Sequence, residues 1–357
     1  KATQSDRRLQ FVSCWRSVVR WPGLVLYLCR PGGKMKKRSY LLAALLSVAP
    51  FFTASAAEVI FAGNRDGQFD LFRADLKTAQ IQQLTSTTAD ETMPAVSPDG
   101  RNLVFVSNRA GADSIFMMPI AGNASEVVDI SGGMGAYANP AFSPAGTRIA
   151  VRYAPDPQDP FAATRIVLLD PQTRKQEVII DSSKLKTSEN SDAVVVVDRP
   201  VWVSDNLIAY LIAEYSDPEK GRLAKSTIYL FDLKKQEQTR VAGGESYFNA
   251  DGSAMGFKAT MPAVATTESG RTLVFTAIRG GTDREPMKVS LSGGEKGIVE
   301  LGDHDFFGPL LQADDCWIYG FMDEESNTGL AWRSTDLKTP RNILSFNGRI
   351  ITPTAMP

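Results

Sequence analysis

The chain carries a single histidine, His304, in 357 residues. Any Ser-His-Asp triad would have to be built on that one ring, and no G-x-S-x-G turn accompanies it. Cysteine is nearly as scarce, at Cys14, Cys29 and Cys316. Zinc sites draw on several His or Cys ligands, so a zinc centre does not fit. No P-loop is present, and no G-x-G-x-x-G follows a strand. Beyond residue 57 no stretch has the period of a helix. One mostly apolar run stands out, Tyr40 to Phe52, and it is too short to span a bilayer comfortably.

That run has a context. Met35-Lys36-Lys37-Arg38 precedes it as a basic head, and Ala54-Ser55-Ala56-Ala57 follows with the small residues a signal peptidase needs. Residues 35–57 therefore read as a secretory signal cleaved after Ala56 or Ala57, which leaves no membrane span. A signal belongs at the start of a chain, so Met35 is the expected initiator. Residues 1–34 are expected to be upstream translated sequence without structure. The body is then 58–357. Without the ten basic residues and one acidic residue before it, the body holds 29 basic and 39 acidic residues, a net of −10. Such an acidic surface argues against nucleic acid or anionic lipid as a partner and suits a basic protein or a cation. Only Cys316 remains, so no intrachain disulfide is expected, and a body of this size buries enough surface without one.

What fills the body is repetition. Pro94 to Arg109 reads PAVSPDGRNLVFVSNR: a short apolar strand, a tight turn at Ser97-Pro98-Asp99-Gly100, and a second strand. Pro98 presets the turn, Gly100 takes the positive φ that closes it, and Asp99 bonds back to nearby backbone. Weaker copies open at Pro140, Pro200, Pro262 and Pro309, and a last one at Pro353, with spacings of 46, 60, 62, 47 and 44 residues. Each hairpin is followed by a strand, a short polar turn and a final strand, as in DLFRADLKTAQIQQLT from Asp70 and RIVLLDPQTRKQEVII from Arg165. Six such copies occur, and several end their first strand on Asp. Four short strands per repeat at roughly 40–60 residues predict an all-β, six-bladed propeller with four-stranded blades.

The ends of the chain complete the count. Glu58 to Ala62 matches the second strand of a repeat and has no Pro-led strand before it, while Ile351 to Met356 is a first strand with nothing after it. Pairing the two makes one blade from both termini and leaves no open edge.

On these motifs the body resembles the TolB-like, WD40-like PD40 propeller family. Its hallmark, P-x-[WF]-S-P-D-G-x-x-[IL]-[AV]-F, is matched well from Pro94 and again from Pro140, with Ala145 in place of Asp. The later copies are degenerate. The likeness implies a periplasmic location and, because strands begin directly after the signal, a propeller without the N-terminal α/β domain of the family's best-known type. Peptidases with similar propellers carry a separate α/β-hydrolase domain, and the lyases among propellers depend on His; neither feature is expected here.

Strand direction alternates within a blade, so its turns fall on two faces. The turns between strands one and two, and three and four, are short throughout. The other set holds the insertions, Ala154 to Thr164, Ser182 to Arg199, Ala213 to Ser226 and Glu245 to Met261. Long connections confined to one face mark that mouth of the channel as the binding surface. Residues just before each Pro marker are expected to rim it: Glu91 and Thr92, Tyr137 and Ala138, Asp198 and Arg199, Thr260 and Met261, Asp305 to Phe307, and Ile351. Of these, Glu91, Tyr137, Asp198, Arg199, Asp305 and Phe307 are the candidate binding residues. Their mix of carboxylates, a guanidinium and aromatic rings suits a protein or peptide.

The expectation is thus a monomeric periplasmic scaffold that displays loops around a channel, binds a protein or peptide partner, catalyses nothing and needs no cofactor. The alternative is a carbohydrate-binding protein or a carboxylate- or Ca²⁺-dependent enzyme with its site in the channel. Acidic residues are plentiful, and Asp323-Glu324-Glu325-Ser326-Asn327 is their densest run.

Overall fold

The computed structural model describes residues 58–356, with gaps at 66, 122–125, 133–134, 186–192, 218–219, 221, 249–253, 268–269, 280–282, 292–295, 303–304, 314 and 324–327, and two short strands near the N-terminus. The signal segment, His304 and most of the acidic run after Asp323 lie outside the described residues. The chain divides into two units, Lys1–Thr53 and Ala54–Pro357. In the first, Val18–Trp21 pairs antiparallel with Leu24–Tyr27, within the segment expected to lack structure. No helix of the described residues is long and apolar enough to cross a membrane.

The second unit is a six-bladed, all-β propeller of four-stranded antiparallel blades. Blade 1 is built from both ends: Arg349–Ala355 lies innermost, followed by Glu58–Asn64, Phe69–Asp75 and Gln80–Gln83. Ile351 pairs with Ala62, Thr354 with Ile60 and Ala355 with Val59. The Met356 N–H donates to the Glu58 carbonyl at 2.9 Å. The closure expected from the matching termini is therefore present. Blades 2, 3 and 6 start with the strands Glu91–Val96, Ala136–Phe142 and Phe306–Ala313.

Local chemistry makes the hairpins. Gly100, at φ 69°, donates its N–H to the Ser97 carbonyl at 2.9 Å, and Ser97 Oγ accepts from the Asn102 N–H at 2.9 Å. Blade 3 repeats the device with Gly146 on Ser143 at 2.8 Å and the Arg148 N–H on Ser143 Oγ at 3.1 Å. The Asp that ends the third strand caps the next turn. Asp170 Oδ1 accepts from the Gln172 and Thr173 N–H groups, both at 2.8 Å, and Asp75 and Asp232 do the same. These backbone donors hold the Asp170 carboxyl below its ordinary range.

Strand alternation builds the core between blades. In Glu58–Asn64 the five middle residues are all buried. Val59 and Phe61 pack with Ile318 and Leu330 of blade 6, while Ile60 and Ala62 pack with Leu103 and Phe105 of blade 2. Successive side chains point to opposite sheet faces, and here both faces are covered. That is why the second strands read as unbroken apolar runs.

Blades 4 and 5 depart from the plain pattern. Two insertions expected as loops are instead prolonged ladders. Leu207–Asp217 and Arg222–Asp232 stay paired from Leu207–Asp232 out to Asp217–Arg222. Glu237–Phe248 continues past blade 4 and pairs with Ala254–Thr267, with Gly244 opposite Phe257 and Phe248 opposite Ala254. The two blades thereby form one eight-stranded sheet. The innermost strand of blade 4, Val194–Ser204, has 11 residues against 6 in blade 2. At about 3.3 Å per residue, it runs roughly 17 Å further.

Candidate functional site

Every innermost strand breaks its ladder at the same place. The register skips between Thr92 and Ala95, Ala138 and Ala141, Asp198 and Val201, Thr260 and Ala263, Phe306 and Leu310, and Ile351 and Thr354. Each skip is a bulge centred on the residue before the marker proline. That residue has a positive φ in all six blades: Thr352 at 44°, Met93 at 51°, Asn139 at 51°, Arg199 at 49°, Met261 at 50° and Gly308 at 92°. A bulge adds one unpaired residue and re-aims its side chain. Here it brings the side chains of Thr352, Met93, Asn139, Arg199 and Met261 to the channel.

Five of these residues, all but Gly308, line a cavity of about 160 Å³ in the channel together with the six prolines, Ala141, Val201 and Leu311. The ring is linked sideways from blade to blade. The Met93 N–H donates to Thr352 Oγ1 at 3.1 Å, and the Asn139 N–H meets Met93 Sδ at 3.3 Å. The Asn139 amide donates to Asp198 Oδ1 at 2.7 Å, and Asp198 Oδ1 also accepts the Arg199 backbone N–H at 2.8 Å. The lining is thus proline, three aliphatic side chains, two thioethers, two short polar side chains and one guanidinium, and none of it is a carboxylate.

Of the six candidate residues, Arg199 lines this cavity and Asp198 braces it. The other four are held elsewhere. Glu91 is fully buried and forms an ion pair with Arg109 at 2.8 Å, while accepting from the Thr87 hydroxyl at 2.6 Å. Tyr137 is buried between blades 2 and 3; its hydroxyl donates to the Ser131 carbonyl at 3.1 Å and accepts from Gln176 Nε2 at 2.8 Å. Asp305 makes a two-pronged pair with Arg341, at 2.8 and 2.9 Å. Phe307 lies under the Arg284 guanidinium, 3.7 Å from its ring centre. In blades 2 and 3 the cavity is lined by the residue directly before the proline, Met93 and Asn139, and in blade 6 by Pro309 and Leu311. The bulge inserts an extra residue just there, so the two-residue alternation of the strand does not carry across it.

Above the ring, the prolonged strands of blade 4 bring further groups to the same mouth. Tyr215 packs edge-on against Phe161 at 5.5 Å, and the Arg152 guanidinium lies over Phe161 at 5.9 Å. Burial, and then the charge of Asp198, push the Tyr215 hydroxyl up; Arg199 and Arg152 pull it back. Sequence reasoning had placed Phe161 and Tyr215 only within insertions. A second, larger cleft of about 660 Å³ opens on this face between blades 6 and 1, beside Phe321, Phe346 and Arg349. Among the described residues no three His, Cys, Asp or Glu side chains are gathered as for a metal ion.

Family comparison matches part of this repeat array. The model described as the TolB beta propeller domain matches residues 37–197. In this part of its repeat array the chain is similar to the TolB-like PD40 β-propellers. A crystal structure of TolB from Acinetobacter baumannii superposes with a TM-score of 0.61 at 15% identity, covering 84% of this chain and 67% of that one. An uncharacterized protein of Agrobacterium fabrum is 28% identical over 116 residues; the match spans 30% of this chain and 40% of that relative's length. The fold is shared with an enzyme too. A puromycin-hydrolyzing peptidase of Mycobacterium tuberculosis matches at a TM-score of 0.53 and 15% identity, over 82% of this chain and 44% of that one. Likeness of fold thus does not separate binding from catalysis, and the function has to be argued from this propeller's own channel.

Proposed function

We propose that this TolB-like propeller is a binding scaffold of the cell envelope, exported by residues 35–57, that docks a protein or peptide at the mouth carrying the prolonged strands. The observation that carries this reading is the asymmetry of the ring. One face carries tight turns such as 97–100, 143–146 and 233–236, and the other gathers the extended ladders of blades 4 and 5, the Phe161–Tyr215 pair and the entrance to the channel. A rigid ring holds these elements in place, so docking costs little ordering of the scaffold. Aromatic rings beside guanidinium groups are the residue types that dominate protein interfaces. The alternative of carboxylate-pair catalysis in the channel finds little support, because the cavity lining has no carboxylate.

The test has two parts. The immobilised full chain captures partners from a bacterial envelope extract, and hydrogen exchange then maps where the captured partner protects the propeller. Protection at 152–161, 194–199 and 211–226 is the expected footprint. A footprint confined to the short turns, such as 97–101 and 143–147, refutes the proposal. A sharp rise in melting temperature with Ca²⁺ or an oligosaccharide, absent with EDTA, favours the other function.

A further inference from the structure

The six ring positions are equivalent by construction, yet their occupants are not. Met93 and Met261 present thioethers, Asn139 and Thr352 short polar groups, and Gly308 nothing beyond Cα. Arg199 alone brings a charge. Its backbone N–H is satisfied by Asp198, but among the described residues its guanidinium has no hydrogen-bond acceptor or ion-pair partner. The neighbouring Asp198 carboxylate is spent on the Asn139 amide and that backbone N–H, and forms no ion pair with the Arg199 side chain. Three other arginines of the propeller differ in this. Arg109 is paired with Glu91, Arg341 with Asp305, and Arg152 donates to the Pro160 carbonyl. Arg199 is half-buried against a wall of prolines and methionines, where a charge without a partner is unfavourable.

We propose that the channel is a one-residue socket for a carboxylate carried on a short apolar stem, with the Arg199 guanidinium as its anion partner. The inference rests on the docking reading above and names the chemistry that the docked peptide presents. A guanidinium offers a planar fork of donors that matches a carboxylate and keeps its charge at any physiological pH. The cavity of about 160 Å³ is comparable to one that takes a single benzene ring, so it admits one side chain or chain end and no sugar oligomer. Met93, Met261 and the prolines supply contacts for the stem, and methionine adapts to irregular shapes. A bare inorganic anion would leave those apolar walls unused. The carboxylate belongs either to a chain terminus or to an Asp or Glu side chain, and the experiment separates the two.

The probes are small. N-acetyl-leucine carries a terminal carboxylate, N-acetyl-glutamate α-amide a side-chain one, and N-acetyl-leucinamide none; inorganic phosphate is the bare anion. The full chain is labelled at the methionine methyl groups, and the signals of Met93 and Met261 report entry into the cavity. At least one of the two carboxylates is expected to shift both methyl signals in a saturable way, and the tighter one identifies the source. The amide and phosphate are expected to leave them in place. Arg199→Asn should weaken the effective carboxylate about ten- to a hundredfold. Asn tolerates a positive φ and already occupies the equivalent place in blade 3 as Asn139, so the bulge is preserved. Arg199→Lys, which keeps the charge, should recover part of the affinity.

The proposal is overturned by methyl signals unmoved by either carboxylate, by equal binding of acid and amide, or by an Arg199→Asn variant that binds as well as the parent. Equal shifts with phosphate also overturn it, because the site would then take any anion. The failures of the two proposals are distinguishable. If the carboxylates are silent while a captured partner still protects 194–226, the socket fails and docking stands. If protection is absent from that mouth as well, both fail.

Discussion

Removing residues 351–357 takes away the strand that closes the ring. The loss can be worked from the structure. Three cross-strand pairings to Ala62, Ile60 and Val59 disappear, together with the Met356 N–H bond to the Glu58 carbonyl. Four backbone interactions at about 1 kcal/mol net each give about 4 kcal/mol. Ile351 and Met356 pack on the cluster of Ile60, Ala62 and Leu71. Both are only partly covered, and half of the usual 1.5–3 kcal/mol for each side chain adds about 2 kcal/mol. The Met93 N–H also loses Thr352 Oγ1. The total of about 6 kcal/mol is comparable to the whole stability of a typical domain, about 5–15 kcal/mol. At about 2 °C per kcal/mol for a large domain, the melting temperature should fall by more than about 10 °C. The newly bared edge at Val59–Ala62, now fully buried, should also promote association. Melting followed by near-UV circular dichroism and light scattering reads both effects. A truncated protein that melts within about 2 °C of the intact chain, with no increase in scattering, would refute the closure energetics.

The remaining predictions concern single residues. Tyr137→Phe leaves the buried Ser131 carbonyl and Gln176 amide without the hydroxyl, so stability should drop by about 1–2 kcal/mol in denaturant melts while partner capture is unchanged. Loss of capture at full stability would return Tyr137 to the binding surface. Gly308→Ala places a Cβ against Thr276 Oγ1 and 3.1 Å from Met261 Sδ, at φ 92°, and should cost about 2 kcal/mol or more. Asp113 is exposed, but desolvation by the surrounding protein, followed by the charge of Asp90, raises its carboxyl above the ordinary 3.8; Arg152 opposes this. A folded acid with a raised value holds its proton to higher pH than the unfolded chain does. The folded state is therefore disfavoured progressively as pH climbs from 3.8 through the raised value, and the penalty is constant above it. Asp113→Asn should flatten that slope and raise the melting temperature at neutral pH; an unchanged pH profile would count against it.

The amino-acid sequence by itself determined the architecture, because the chemistry that makes a blade is local. Ser97-Pro98-Asp99-Gly100 folds its own turn, Asp170 caps its own, and Pro94, Pro140, Pro200, Pro262, Pro309 and Pro353 count the repeats. The closing strand was legible too, since Glu58–Ala62 lacks a partner that only the other terminus can supply. Two things waited for the tertiary structure. Which residues face the channel depends on a bulge whose left-handed residue breaks the two-residue alternation, so Glu91 and Tyr137 went inside while Met93 and Asn139 took the axis. The insertions at 213–226 and 245–261 became ladders because each half found an antiparallel neighbour, and strand pairing is a property of two segments, visible in neither alone.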